Sequence, residues 1–135
     1  MPAYRLIAAA TALVLAGATA HSADKVDKRT QENEAKLAKM LEGRTAGESV
    51  SCIPVLRPNQ FEVIEGVALV YDSGDTVYVS RPTDPDTLRR DDVMIIDRHT
   101  SQLCNTDVVR TVDRNGGYFT GVVFLGKFVP YRKQG

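Results

Sequence analysis

Hydrophobic and polar positions divide the chain into three stretches of different period. From Leu6 to Ala18 runs an apolar segment without a single charge. From Asp24 to Glu42 the chain is charged and rich in good helix formers, and Val26, Asn33, Leu37, Met40 and Leu41 recur at spacings near three and four. That period predicts one amphipathic helix. Gly43 is its natural stop, and Gly47 opens the loop that follows. Apolar residues are sparse in the early turns, so the helix is expected to hold from about Asn33 and to act as a tether before it.

After Ser49 the pattern changes to short runs of Val, Ile, Tyr and Phe punctuated by Gly, Pro, Asp and Asn. These are strand signals. Strands are predicted near Val50–Ile53, Gln60–Ile64, Val67–Tyr71, Thr76–Ser80, Val93–Asp97, Val108–Asp113 and Tyr118–Phe128. Asp72-Ser73-Gly74-Asp75 between two of them makes Val67–Ser80 the clearest hairpin. In the last run Phe119, Gly121, Val123 and Leu125 share one face and Tyr118, Thr120, Val122 and Phe124 the other, so both faces look partly covered. Gly121 and Gly126 would permit bending there, and Pro130 is expected to close the strand. Strands at short spacing favour antiparallel pairing. The expected fold is mainly β with one N-terminal helix, an α+β arrangement in which a small meander, curled sheet or barrel is closed by one disulfide. Its parts are 1–23, 24–48 (helix and loop) and 49–135 (β domain).

Residues 1–23 read as a cleavable signal peptide: Arg5 supplies the positive start, the apolar run follows, and Ala18-Thr19-Ala20 or His21-Ser22-Ala23 offers the cleavage site. The run is shorter than the roughly 18–20 apolar residues that span a bilayer. Leu15-Ala16-Gly17 begins like a lipoprotein signal, but Ala18 stands where the lipidated cysteine would be. The expectation is a soluble protein of the periplasm or exterior, with no stable membrane anchor after cleavage.

Charge excludes more than it suggests. The chain carries 17 basic and 17 acidic side chains, and removal of the leader takes Arg5 alone, leaving a net charge of −1. No basic stripe marks a nucleic-acid partner. About 115 remaining residues suit one domain with a modest core. In an exported chain, Cys52 and Cys104 are most simply read as one disulfide. Closing a loop of about 50 residues would stabilise the fold by about 4 kcal/mol on the chain-entropy account.

Three motifs suggest chemistry. Ala68-Leu69-Val70-Tyr71 followed by Asp72-Ser73-Gly74 resembles the active-site turn of retroviral-type aspartic proteases, in which two chains each supply one aspartate. Phe124-Leu125-Gly126 is similar to that family's second element. The resemblance implies a dimeric enzyme using Asp72, yet a tight hairpin needs the same residue types, and little chain follows for that family's usual helix. Asp84, Asp86, Asp91 and Asp92 invite a calcium reading, but Arg89 and Ile95 occupy the positions where a helix-loop-helix site wants Gly and Glu. Arg89 and Arg90 are expected to pair with these aspartates instead. Asp97, His99 and Cys104 form an irregular trio of zinc-ligand types that competes directly with the disulfide. No metal and no cofactor are expected.

Lys39 to Gly43, Cys52-Ile53, the segment Ser101-Gln102-Leu103-Cys104 through Asp107, Val109, Arg110, Val112, Asp113 and Arg114, and the ending Leu125-Gly126, Phe128 to Arg132 together resemble a family of short exported or lipoprotein-type proteins from alphaproteobacteria. That resemblance implies an exported location and the disulfide, and no particular chemistry. The sequence thus points to a non-enzymatic binding or structural module of the bacterial envelope, with the dimeric protease as alternative. The expected binding surface is a sheet edge near the end of the chain, around Phe128, Tyr131, Arg132 and Lys133, facing an envelope protein or ligand.

Overall fold

The computed structural model describes residues 20–135; residues 1–19, on which most of the expected signal peptide falls, and the side chains of residues 20–24, 26 and 27, His21 and Val26 among them, lie outside the described residues. Helix α1 (Ala20–Met40) is followed by β1 (Arg44–Ala46), β2 (Cys52–Pro54), β3 (Phe61–Ile64), β4 (Ala68–Asp72), β5 (Thr76–Ser80), β6 (Asp92–Ile96), β7 (Gln102–Cys104), β8 (Val109–Asp113), β9 (Phe119–Val123) and β10 (Phe128–Lys133). Every strand pair is antiparallel. The strands form a five-stranded sheet β1-β10-β5-β4-β3, a three-stranded sheet β6-β8-β9 and the pair β2-β7. The fold is mainly β with one helix, as the sequence pattern predicts, but the sheets stay separate and no barrel closes.

Period-two alternation sorts the core into two layers. On one face of the five-stranded sheet, Ala68, Val70, Val77 and Val79 meet Leu37 of α1, with Met40, Leu41 and Tyr131 packed around them. On the other face Leu69, Tyr71 and Phe128 meet Val109 and Val123 of the three-stranded sheet. Strand β4 is therefore covered on both sides, and Ala68, Leu69, Val70 and Tyr71 are all buried. The order of layers is helix, large sheet, small sheet. Arg29–Glu65, Lys36–Glu62 and Arg81–Glu34 ion pairs pin α1 to the strands beneath it. The helix is continuous well before Asn33, where the sequence expected it to become secure.

Cys52 and Cys104 are joined. They face each other directly in the β2–β7 register, beside Ile53 and Leu103, neither of which exposes any surface. Three paired residues cannot hold a ladder alone, so the bond and these two buried side chains fix the pair to the core.

The end of the chain departs from expectation. The predicted last strand is two strands in different sheets. Chain leaves the small sheet after Val123 and enters the large one at Phe128. Between them Gly126 passes so close to Arg81 that a Cβ would be driven into the Arg81 carbonyl oxygen. Pro130 does not close β10. It pairs with Tyr78, and its carbonyl accepts from Gly47 N–H at 2.7 Å. The missing proline donor falls beyond the end of β1, where no ladder bond is lost.

Candidate functional site

The residues singled out from the sequence fall at scattered places. Asp72 is exposed at the β4–β5 turn, where its Oδ1 accepts the Gly74 N–H at 2.8 Å and Ser73 Oγ donates to Thr76 O at 2.8 Å. Gly74 has φ +96°, a conformation side chains resist. The Asp-Ser-Gly letters are fully employed in building this turn. Of the second element, Phe124 is exposed, Leu125 is buried, and Gly126 serves the close crossing against Arg81.

The zinc trio does not assemble. Cys104 is bonded to Cys52, Asp97 Oδ2 accepts from Arg110 Nη2 at 2.8 Å, and His99 is exposed. Among the described residues no group of three or more His, Cys, Asp or Glu side chains is placed to hold a metal. The acidic loop is also dispersed. Asp84 caps a short helical turn at Pro85–Thr87, and Asp92 is buried, accepting from Thr120 Oγ1 at 2.9 Å. Thr111 Oγ1 lies within hydrogen-bond distance of both Thr120 Oγ1 and Gly121 O, so this buried polar group is internally satisfied. Arg90 pairs with Glu65 at 3.5 Å, and not with the loop aspartates. Asp86, Asp91, Asp92 and Asp113 line a cleft of about 450 Å³ beneath α1, interleaved with Lys25, Arg29 and Arg89.

The expected edge near the C-terminus is corrected by the topology. Strand β10 lies between β1 and β5, and Phe128 is 1% exposed, a core residue unavailable to any partner. Tyr131 packs toward α1, leaving Arg132 and Lys133 as exposed side chains on an interior strand.

The true edges of interest are β3 and β6, each with one neighbour. They flank a groove of about 600 Å³ that opens between the two sheets. Its floor is Phe61 and Val63 from β3 and Met94 and Ile96 from β6, all partly buried and packed against the main core. The sandwich is open here, and the core shows through. Its rim carries Lys36, Arg90, Arg98 and Arg114 against Glu62 and Asp92. Lys36 Nζ pairs with Glu62 at 2.7 Å, Arg98 Nη1 donates to Val55 O at 3.3 Å, and Arg114 makes no ion pair among the described residues. Sequence reading missed this site because β3 and β6 lie about 30 residues apart and meet only through tertiary packing. A signal existed in Val93-Met94-Ile95-Ile96, which is apolar at both parities and so cannot be an ordinary one-faced strand.

A second surface stands out on the outer face of the small sheet. Val93, Ile95, Val112, Phe119 and Val122 point away from the core there, with exposed Val108 and Phe124 beside them. Arg110, the cation among them, is neutralised by Asp97. No protein-family model matches the chain, and no curated protein or solved structure matches it.

Proposed function

We propose that this protein is an exported, non-enzymatic binding module of a bacterial envelope, cut from its leader at Ala20 or Ala23, that takes a polypeptide partner in the groove between β3 and β6. The observation that carries this reading is the groove itself. Two strands without outer neighbours flank an apolar floor made of the domain's own core residues, the arrangement that accepts an added chain. The disulfide supports an oxidising compartment. No helix among the described residues is long and apolar enough to cross a membrane. Every described ion pair and buried contact of α1 begins at Arg29 or later, so cleavage at either alanine leaves them intact. The resemblance to exported alphaproteobacterial proteins is consistent with this location.

Two measurements test the proposal. Protein recovered from the periplasm should begin at His21 or Asp24, weigh two hydrogens less than its reduced form and resist alkylation. A full-length mass with two reactive thiols overturns export. For the groove, a photo-crosslinking side chain at Val63 in cells should give a discrete adduct that the same group at Glu48, which does not line the groove, fails to give. Equal labelling at both positions, or none, overturns the groove as the binding site.

A further inference from the structure

The backbone of β6 specifies what such a partner must offer. In an antiparallel ladder the N–H and C=O of alternate residues point to the same neighbour. Asp97 N–H donates to Val108 O, and Arg114 N–H donates to Asp91 O. Odd-numbered positions of β6 thus spend their backbone groups on β8. By the same alternation Met94 and Ile96 turn theirs the other way, to the open edge of β6 beside the groove, and neither has a backbone bond outside the strand ladder among the described residues. Their side chains form half of the groove floor. One edge therefore combines free donors and acceptors with an apolar seat.

The charges above that seat are unequal. Lys36 is matched by Glu62, and Arg90 reaches Glu65 only at 3.5 Å with its side chain 77% exposed. Arg98 donates to a carbonyl, not to an acid, and Arg114 is unpaired among the described residues. Asp92, the other acid of the rim, is buried and accepts from Thr120, and with Glu62 it leaves the rim's four cations in excess of its two acids. The rim is left with a surplus of guanidinium groups, which favour carboxylates in bidentate geometry.

We infer that the groove binds an extended segment of alternating apolar and acidic residues, added as a strand along β6. This rests on the groove being the binding site. Its backbone would pair with Met94 and Ile96, its apolar side chains would lie on Phe61, Val63, Met94 and Ile96, and its carboxylates would reach Arg90, Arg98 and Arg114. Strand β6 has five residues, so a segment of about five to seven residues, roughly 17–23 Å long, fills the edge.

The test is amide NMR of the disulfide-intact protein titrated with two capped eight-residue peptides, one alternating valine and glutamate and the other valine and lysine. The glutamate peptide is expected to shift the amides of Met94 and Ile96 and slow their hydrogen exchange. Its affinity should fall about threefold or more between about 50 and about 300 mM salt, and by a similar factor in Arg114→Glu, an exposed substitution that leaves the free protein's spectrum otherwise unchanged. Equal or tighter binding of the lysine peptide overturns the acidic assignment. Shifts that miss Met94 and Ile96 overturn strand addition. No binding of either peptide alongside a discrete Val63 adduct overturns this ligand class while leaving the groove reading in place, whereas loss of the adduct as well overturns both.

Discussion

Gly126 shows how much one position can decide. The chain crosses there from the small sheet to the large one, against the backbone of Arg81, and Ser80 Oγ donates to the Gly126 carbonyl at 2.8 Å. Because the obstructing atom is backbone, the neighbour cannot rotate aside. Gly126→Ala is expected to cost about 2–3 kcal/mol, seen as a lower urea midpoint at unchanged slope, while Gly135→Ala, open to space, should change nothing. Glu34 decides less, with a sign that pH reveals. Its fork-like pairing with Arg81, 2.6 and 2.9 Å, holds the carboxyl below its ordinary value of 4.5 and raises Arg81. A depressed carboxylate contributes stability that is present above its unfolded value and lost as pH falls through the folded one. Both side chains are about half exposed, so the effect is modest. Glu34→Gln should lower stability above about pH 5 and converge with the parent in stronger acid, as urea titrations across pH would record.

Among elements, the disulfide-linked pair β2–β7 is the most dependent on a single bond. Reduction, or Cys52→Ser with Cys104→Ser, should destabilise the domain by up to about 4 kcal/mol. Hydrogen exchange should rise first in Cys52–Pro54 and Gln102–Cys104. The two cysteines, read together with the export expected from residues 1–23, made this bond legible from sequence, whereas the strands that carry it were only half legible. Gln102-Leu103-Cys104 has one strongly apolar residue and no alternation to betray a strand, and Arg44-Thr45-Ala46 has none; each is a strand only through its pairing with a partner distant in sequence. The β4–β5 hairpin is the opposite case, since Asp72 to Asp75 encode their turn locally and Thr76–Ser80 follows with the bounds the sequence suggests. The two-strand division of Tyr118–Phe128 was not readable, because it depends on where Arg81 lies. The same is true of the groove. Phe61, Val63, Met94 and Ile96 read simply as core, and only their placement on two edges without outer partners leaves them partly open.

At the scale of the whole fold, α1 covers one side of the sandwich, and among the described residues nothing covers the other. An apolar sheet face of this kind is a liability in concentrated solution. Replacing Val122 and Phe119 by threonine should leave the melting temperature within about 3 °C, since neither side chain is fully buried, and should raise the solubility limit. A large loss of stability would mean that these residues pack more tightly than their position on the face implies. Topology adds something about time. The large sheet is assembled from both ends of the described chain: β10, at residues 128–133, slides between β1 at 44–46 and β5 at 76–80. A ribosome delivers β10 after the other nine described strands, so β1 has no strand to lie against and β5 lacks one flank until residues 128–133 have emerged. A nascent chain of this order therefore carries its large sheet as the three strands β3-β4-β5 alone, and the sheet reaches its full width only when β10 has emerged.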